Sequence, residues 1–478
     1  MSAALPDGLV AIVKRSCPTC ALVAPVLAQV RAGGTRLTVY TQDDRAFPAG
    51  LDPVDDTSLE VSWRCAIDTV PTLLRIAGGK EEARIVGWSR AGWEQLTGIS
   101  GLGPSLPAHR PGCGSLSVDP ARTDALAVRF LGGTLKSRRV ELASLEDEVE
   151  ALFDRGWSDG LPLVPPTEAR VLRMLAGTAR APDEVVAIAP PDLHPVTVEK
   201  AAINAVMAGC KPEYLPVVLA ALEAACTDEF NMHGLLATTM PAGPVIVVNG
   251  PIRGAIGMNS GVNALGQGNR AGLTIGRALQ LVIRNVGGGR PGEVDRATHG
   301  SPGKLSFCFA EDEEGSPWEP LSVERGWGAG ASAVTLFAGE GTRCVVDQLS
   351  RTPESLASTL AVNLRALHHP KLAMVFDALV VIGPEHGRVF REAGWSRARL
   401  LDELHQRLQL PGAEVIRGAG GIAEGMPEHF REATLPKFRQ GGLLLVHAGG
   451  SAGLFSEIIG GWINGELGSQ PVTREILR

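Results

Sequence analysis

The feature that most constrains this chain is a pair of cysteines, Cys17 and Cys20, between an apolar run and a helical pattern. The run at residues 9–13 has the length of a buried strand, and the apolar spacing over 21–27 predicts a helix. A Cys-x-x-Cys at such a junction is typical of a dithiol redox site. The free N–H groups and dipole of a helix start favour a thiolate. We therefore predict that Cys17 is the attacking thiol and Cys20 the resolving thiol.

Two other interpretations of this pair are a half zinc site and an inert pair. A zinc site needs two more ligands at metal spacing, and the sequence has no second Cys-x-x-Cys. A redox-active Cys17–Cys20 disulfide is therefore the expected redox group. A soft metal held by Cys17, Cys20 and Cys113 remains an alternative.

Length and composition indicate an α/β protein with more than one domain. The 478 residues are enough for two or three buried cores. Abundant glycine and proline, with only 5% aromatic residues, suit many tight turns between strands and helices. Eight cysteines are too dilute for a disulfide framework, so any disulfide would be catalytic.

Charge and hydropathy argue against two classes of partner. A net charge of −7, without a basic run interleaved with aromatics, provides no field for nucleic acid. No apolar segment reaches the roughly 18 residues that span a bilayer. We expect no nucleic acid, no membrane and a cytoplasmic location, and the sequence leaves a homodimer open.

Residues 1–100 predict a small domain of alternating strands and helices. A second strand at 36–40 and a hairpin around Gly78-Gly79 follow the first helix. Proline enters the next strand in Thr69-Val70-Pro71-Thr72, which makes Val70-Pro71 a candidate cis peptide.

Together, these features resemble the thioredoxin fold. The resemblance implies that Val70 and Pro71 face the dithiol and hold an extended substrate strand. Between the cysteines, Pro18-Thr19 stands where that family has Gly-Pro, so a redox potential cannot be transferred.

Residues 101–139 are rich in glycine, proline and serine, and their composition predicts a linker. Cys113 stands between two glycines there, so we expect it to be exposed. It is either an incidental surface cysteine or a substrate-facing thiol. In the second case, a mobile loop would carry it between the dithiol and a second active site.

Residues 140–478 predict a larger α/β domain with a mostly parallel sheet, and the sequence leaves open a division into two subdomains near residue 340. Apolar runs of strand length occur at 245–248, 305–309, 378–382 and 443–446, with helical patterns between them. Ligands bind beyond the carboxyl ends of such strands. The polar residues that follow the runs would then form one site: Asn249, Glu311, Glu313, Glu385, His386 and His447.

Roles for these residues follow from their chemistry. His386 or His447 would act as general acid or base, because imidazole titrates near working pH, and Glu311 would share the catalytic site. Cys308, just before the acidic run, is a second candidate thiol for attack on substrate.

Two glycine-rich loops are candidate anion sites. In the loop at 259–271, Asn259 and Arg270 could contact substrate at a helix start. Its Gly-x-Gly-x-x-Ala does not directly follow a clean strand, which weakens a dinucleotide interpretation. The second loop, at 449–456, offers Ser451.

Three segments, at 110–115, 159–167 and 316–321, resemble bacterial proteins that are associated with selenoproteins carrying a Sec-Gly-Ser-Cys (UGSC) motif. The resemblance covers roughly residues 105–478 and implies thiol- or selenol-assisted organometal handling. Here Leu116 follows Cys113-Gly114-Ser115 in place of cysteine, so no vicinal pair is encoded.

The leading hypothesis is a thiol-dependent oxidoreductase or lyase. The fused dithiol would support cysteine-thiolate chemistry on a small organic, organosulfur or organometallic substrate in the large domain. An external thiol or dithiol would be the reductant. The alternatives are a protein disulfide oxidoreductase with a non-catalytic binding domain, and a soft-metal binding protein.

Overall fold

The computed structural model describes residues 5–143 and 146–477, and its secondary structure is mixed α/β. The chain divides into two compact units, one up to Leu135 and one from Lys136. No helix among the described residues is long and apolar enough to cross a membrane.

The first unit alternates strands and helices along most of its length. In chain order its elements are β1 (Gly8–Val13), α1 (Pro18–Ala32), β2 (Leu37–Thr41), β3 (Val54–Asp55), α2 (Glu60–Arg64), β4 (Thr69–Val70), β5 (Thr72–Ala77), β6 (Lys80–Val86), β7 (Trp88–Ser89), α3 (Arg90–Thr97), β8 (His109–Arg110), β9 (Cys113–Gly114) and α4 (Pro120–Leu131).

The main sheet of this unit has the order β3-β2-β1-β5-β6. β1 is its central strand: it runs parallel to β2 and antiparallel to β5, and its residues from Leu9 onward are buried. α1 buries Val23, Val26, Leu27 and Val30 in the same core, at the spacing of one helix face. This packing fixes the start of α1 next to the end of β1.

Residues 101–131 differ from the unstructured linker that composition predicts. They contain β8, β9, a 3₁₀ turn at Leu116–Val118 and the 12-residue helix α4, and they belong to the first unit. Buried side chains hold them: Ser115 and Ser117 are each almost inaccessible, and Leu102 lies in the core. Glycine and serine allow close packing in this segment. Cys113 therefore lies in a packed strand, which corrects the prediction that a mobile loop carries it.

The second unit contains more elements. They are α5 (Glu148–Asp154), α6 (Glu168–Leu175), β10 (Val185–Ala189), β11 (His194–Thr197), α7 (Val198–Ala208), α8 (Leu215–Ala225), α9 (Met232–Ala237), β12 (Gly243–Asn249), α10 (Ile252–Ala255), α11 (Arg270–Asn285), β13 (Cys308–Ala310), α12 (Leu321–Glu324), β14 (Ala333–Val346), α13 (Pro353–Arg365), β15 (Phe376–Ile382), α14 (Pro384–Glu392), α15 (Arg397–Arg407), β16 (Gln409–Pro411), α16 (Gly412–Val415), β17 (Thr434–Pro436), β18 (Leu443–His447), β19 (Phe455–Ile463) and β20 (Val472–Glu475).

The large sheet is mixed, which corrects the prediction of a mostly parallel sheet. Its order is β13-β12-β14-β19-β15-β18, and β20 pairs with β14. The four strands predicted from sequence form two parallel pairs, β12 with β13 and β15 with β18. Between the pairs lie β14 and β19, which the sequence reading did not include, and each is antiparallel to its neighbours.

This arrangement reverses the direction of one parallel pair relative to the other, so a flat sheet would place their carboxyl ends at opposite edges. Residues from the two pairs nevertheless pack in one core, so the sheet curls. They are Val245, Phe309, Leu379 and Val446. The two edge strands meet where the N–H of Asp312 donates to the carbonyl of His447 at 2.8 Å.

A division of this domain near residue 340 does not fit the structure. Residue 340 lies inside β14, which pairs with β12 along its first half and with β19 along its second half. The register shifts between Gly339 and Thr342 at the change of partner. The chain near residue 340 therefore lies within one long strand.

Candidate functional site

Three cysteines of the first unit form what we call the thiol cluster: Cys17, Cys20 and Cys113. Cys17 is the N-cap of α1, and its sulfur accepts a hydrogen bond from the N–H of Cys20 at 3.3 Å. Pro18 at the first helical position needs no N–H partner, which suits this helix start. The Cys17 thiol also lies 3.5 Å from the carbonyl of Val70, whose peptide bond to Pro71 is cis.

Cys113 enters this cluster through backbone pairing. β9 runs antiparallel to β4, with Cys113 opposite Val70 and Gly114 opposite Thr69. The Cys113 thiol is thereby close enough to Cys17 to help lower the pKa of the Cys17 thiol. All eight cysteines are free thiols in the structure.

The charges in the cluster are unevenly distributed. Hydrogen bonds lower the pKa of Cys17 to about 5 against the opposing effect of burial: the largest contribution comes from the Cys20 thiol, and smaller ones come from the Cys113 thiol and the N–H groups of Cys20 and Thr19. Burial raises the pKa of Cys20 and of Cys113. The cluster can therefore hold one thiolate, on Cys17, beside two thiols that donate hydrogen bonds to it.

In the second unit, polar residues at the ends of β12, β13 and β18 form what we call the carboxylate cluster. Asn249 Nδ2 donates to Glu311 Oε2 at 2.7 Å and to Glu313 Oε1 at 2.9 Å. The guanidinium of Arg253 lies 2.7 Å from Glu313 Oε2. His447 Nδ1 lies 3.2 Å from Asp312 Oδ2. The cluster thus joins Asn249, Arg253, Glu311, Asp312, Glu313 and His447.

Burial dominates the ionisation of this cluster. Glu311 is fully buried, and burial raises its pKa although the N–H of Leu321 donates to it at 2.8 Å. Burial also lowers the pKa of His447, against the charge of Asp312. Asn249 Oδ1, Glu311 Oε1 and His447 Nε2 are buried without a hydrogen-bond partner. Such orphaned atoms call for an explanation, and a bound polar ligand is one.

The structure brings together only part of the strand-end site that the sequence predicts. Asn249, Glu311 and Glu313 touch, and His447 joins them through Asp312. His386 is held elsewhere: Nδ1 is 2.8 Å from Ser456 Oγ, and Nε2 is 3.1 Å from the carbonyl of Asp347. Both of its nitrogens are occupied because α14 turns the side chain toward β19.

The remaining predicted contact residues have local roles or lie on the surface. Asn259 closes its own loop by bonding Gly261 and Val262, and exposed Arg270 donates to the carbonyl of Gly209. Glu385 is half-buried in the first turn of α14, and Ser451 is exposed. The two glycine-rich loops do meet, since the N–H of Gly449 donates to the carbonyl of Ser260 at 2.9 Å.

Cys308 is not placed for attack on a ligand at the carboxylate cluster. Alternate residues of a strand face opposite sides, and Phe309 is the one in the shared core. Cys308 instead packs beneath α11, where a Cβ on Gly276 would lie 3.3 Å from its own. Burial raises its pKa well above the usual thiol range.

Sequence reasoning missed several partners. Arg253 was not singled out, although it follows Asn249 by four residues in a strand–turn segment. Arg397, 3.8 Å from Glu311, carries no local signal because it comes from a helix far along the chain. In the first unit, Lys14 and Thr19 hold the Cys113 segment through its carbonyl groups.

Among the described residues, no group of three or more His, Cys, Asp or Glu side chains is arranged to hold a metal ion. Comparison with protein-family models, with curated proteins and with solved structures finds no match for this chain.

Proposed function

We propose that this protein is a thiol–disulfide oxidoreductase whose reaction takes place at the thiol cluster. The observation that carries the proposal is the position of Cys17, with its sulfur at the start of α1 and 3.3 Å from the N–H of Cys20. A thiolate is the reactive form of cysteine, and a helix N-terminus stabilises it. Cys20, three residues on in the same turn, is the natural resolving thiol.

The second unit is proposed to bind a small polar substrate at the carboxylate cluster. Asn249 Oδ1 and His447 Nε2, both buried and unpartnered, are the groups that would contact it. Thiol chemistry in the protein is assigned to the first unit, because Cys308 is buried with a raised pKa. An organic or organosulfur compound fits this polar setting as substrate class.

The reaction proposed for the dithiol is a two-electron exchange. The Cys17 thiolate and the Cys20 thiol lose two electrons and one proton and form a disulfide, while an external disulfide gains the two electrons and becomes two thiols, with one proton from Cys20 and one from solvent. An external thiol or dithiol reverses the step.

The test is to equilibrate the full-length protein in graded mixtures of reduced and oxidised glutathione, quench with acid and map cysteine pairs by mass spectrometry. We expect a Cys17–Cys20 disulfide that forms and breaks reversibly. It should be absent in Cys20→Ser and present in Cys65→Ser, a control cysteine of the same unit. A folded protein that never forms this bond under oxidising conditions would overturn the proposal.

A further inference from the structure

The three thiols of the cluster differ in their access to solvent. Cys17 and Cys20 are both 0% exposed, whereas Cys113 is partly exposed. The reactive thiolate is therefore shielded from any reactant that approaches from solution. Cys113 is the member of the cluster that such a reactant meets first.

Residues 111–115, which we call the shield, are held in place by hydrogen bonds on both sides of Cys113. The carbonyl of Pro111 accepts from Thr19 Oγ1 at 2.8 Å, and the carbonyl of Gly114 accepts from Lys14 Nζ at 2.7 Å. The N–H of Ser115 donates to the carbonyl of Asp68 at 2.9 Å. These bonds lie on both sides of Cys113, so its sulfur is held against Cys17 from two directions.

Glycine at position 112 makes the close approach possible. A Cβ there would lie 2.5 Å from Thr69 Cγ2 and 2.6 Å from the carbonyl oxygen of Val70, distances that real Cβ atoms do not show. Any larger side chain must push the segment away from β4. Gly112 is thus the position at which the shield can be opened by a single substitution.

We propose that Cys113 is the entry thiol of a three-cysteine relay, and that the relay serves low-molecular-weight disulfides rather than polypeptide disulfides. This inference rests on the proposed function. The edge of β4 is the stretch of backbone beside Cys17, since the Val70 carbonyl lies 3.5 Å from its thiol, and β9 already occupies that edge, so an extended polypeptide cannot pair there. A small disulfide needs no such edge, since it can react with the partly exposed Cys113.

The relay consists of three exchanges that conserve electrons. The Cys113 thiol passes its proton to the neighbouring Cys17 thiolate and attacks the external disulfide as a thiolate. It forms a mixed disulfide with one half, and the other half leaves as a thiol after taking that proton back from Cys17. The Cys17 thiolate then attacks Cys113 sulfur, which forms Cys17–Cys113 and releases the second external thiol. Finally, Cys20, after giving up its proton, attacks Cys17, and the Cys113 thiol is restored. In sum, one external disulfide becomes two thiols, and Cys17 and Cys20 become a disulfide.

The first test measures how fast glutathione disulfide oxidises the reduced full-length protein, by quenched-flow mapping of Cys17–Cys20. We expect Cys113→Ser to slow this step by at least about tenfold, because the exchange partner is lost. Cys65→Ser, another partly exposed cysteine of the unit, should leave the rate unchanged. In Cys17→Ser, glutathione should be found on Cys113, and in Cys20→Ser the Cys17–Cys113 bond should accumulate.

The second test uses Gly112→Ala, which displaces the segment that covers Cys17 while keeping all three cysteines in the chain. We expect it to increase the alkylation rate of Cys17 by a bulky maleimide and to give the protein an insulin-reducing activity that the natural chain lacks. An unchanged oxidation rate in Cys113→Ser would overturn the relay, and insulin reduction by the natural chain at the rate of Gly112→Ala would overturn the substrate class. In either case, a Cys17–Cys20 disulfide that still forms reversibly leaves the proposed function standing.

Discussion

The thiol cluster and the carboxylate cluster both bury an acidic group, yet they treat its charge in opposite ways. Hydrogen bonds from Cys20, Cys113 and backbone N–H groups lower the pKa of Cys17, whereas burial raises the pKa of Glu311. The guanidinium of Arg397 lies 3.8 Å from the carboxylate of Glu311. Glu311 also accepts hydrogen bonds from Asn249 at 2.7 Å and from the N–H of Leu321 at 2.8 Å. The contrast teaches that donors stabilise the charged form of a buried acid only where they outweigh the cost of its desolvation.

The two clusters also differ in how the chain assembles them. Backbone geometry sets the first one: a helix start, the turn at Val70 and the short pairing of β9 with β4. Side-chain ion pairs hold the carboxylate cluster together. Arg253 pairs with both Glu313 and Glu314 and also donates to the carbonyl of Glu311. Charge removal should therefore harm the second cluster more, and the first should respond mainly to changes in its thiols.

The largest effect that we expect is an acid-shifted thiolate titration in the first cluster. The ultraviolet absorbance of thiolates in the reduced protein should rise with a midpoint near pH 5, because hydrogen bonds lower the pKa of Cys17 to about 5. Cys17→Ser should lose this transition and Cys65→Ser should keep it. A protein whose thiolate signal appears only in the ordinary cysteine range, about pH 8.5, would break the contrast between the clusters.

The same shift fixes a sign for stability. A lowered pKa in the folded state means that the thiolate stabilises the fold above the ordinary thiol pKa. This contribution is lost as the pH falls through about 5. The free energy of unfolding of the reduced protein minus that of Cys17→Ser should accordingly decline as the pH falls from 9 to 5. These limits are the ordinary pKa of 9.0 and the lowered pKa of about 5.

The next largest effect should come from Arg253→Met in the carboxylate cluster. Arg253 is 9% exposed and pairs with Glu313, which is 17% exposed. Removal of the guanidinium therefore leaves a largely buried carboxylate without its cationic partner. We expect a loss of about 3–5 kcal/mol in the free energy of unfolding, measured in urea by tryptophan fluorescence. Arg365→Met breaks an exposed pair with Glu414 and should cost less than about 1 kcal/mol. Equal losses in the two variants would mean that ion pairs do not set the second cluster.

The sequence predicts the first unit well because its signals are local. The dithiol, the strand before it and the helix after it lie within about 25 residues, and Val70-Pro71 is cis as its sequence context predicts. The same reasoning failed for Cys113. Gly112 and Gly114 suggest mobility by composition, but the space left by a missing Cβ at Gly112 is used for close packing.

The second unit was harder because strand direction and sheet curling are not local properties. Apolar runs located β12, β13, β15 and β18, but not the long antiparallel strands between them. The rule that ligands bind at strand ends still pointed to Asn249, Glu311 and His447. Curling of the sheet brings the ends of these strands close together, as a parallel sheet would also have done. It failed for His386, whose side chain follows α14 toward Ser456.

The smallest effect, and the sharpest test of the contrast, is the pH dependence of Glu311→Gln. Because burial raises the pKa of Glu311, its contribution is fully present below the usual carboxyl pKa and is lost as the pH rises above that value toward the raised pKa of the folded state. Glutamine keeps an oxygen for the N–H of Leu321 and carries no charge. The free energy of unfolding of the natural protein minus that of Glu311→Gln should therefore fall by about 1 kcal/mol or more between pH 4 and pH 7.

Glu314→Gln provides the matched control for this slope, because a hydrogen bond from Arg253 lowers the pKa of Glu314 and reverses the sign. The corresponding difference should rise over the same pH range, by less than about 1 kcal/mol since the side chain of Glu314 is 78% exposed. Both slopes come from urea unfolding at each pH. If the difference for Glu311 also rises with pH, Glu311 is a stabilised carboxylate, as Cys17 is a stabilised thiolate. Hydrogen-bond donors would then stabilise the buried charge in both clusters.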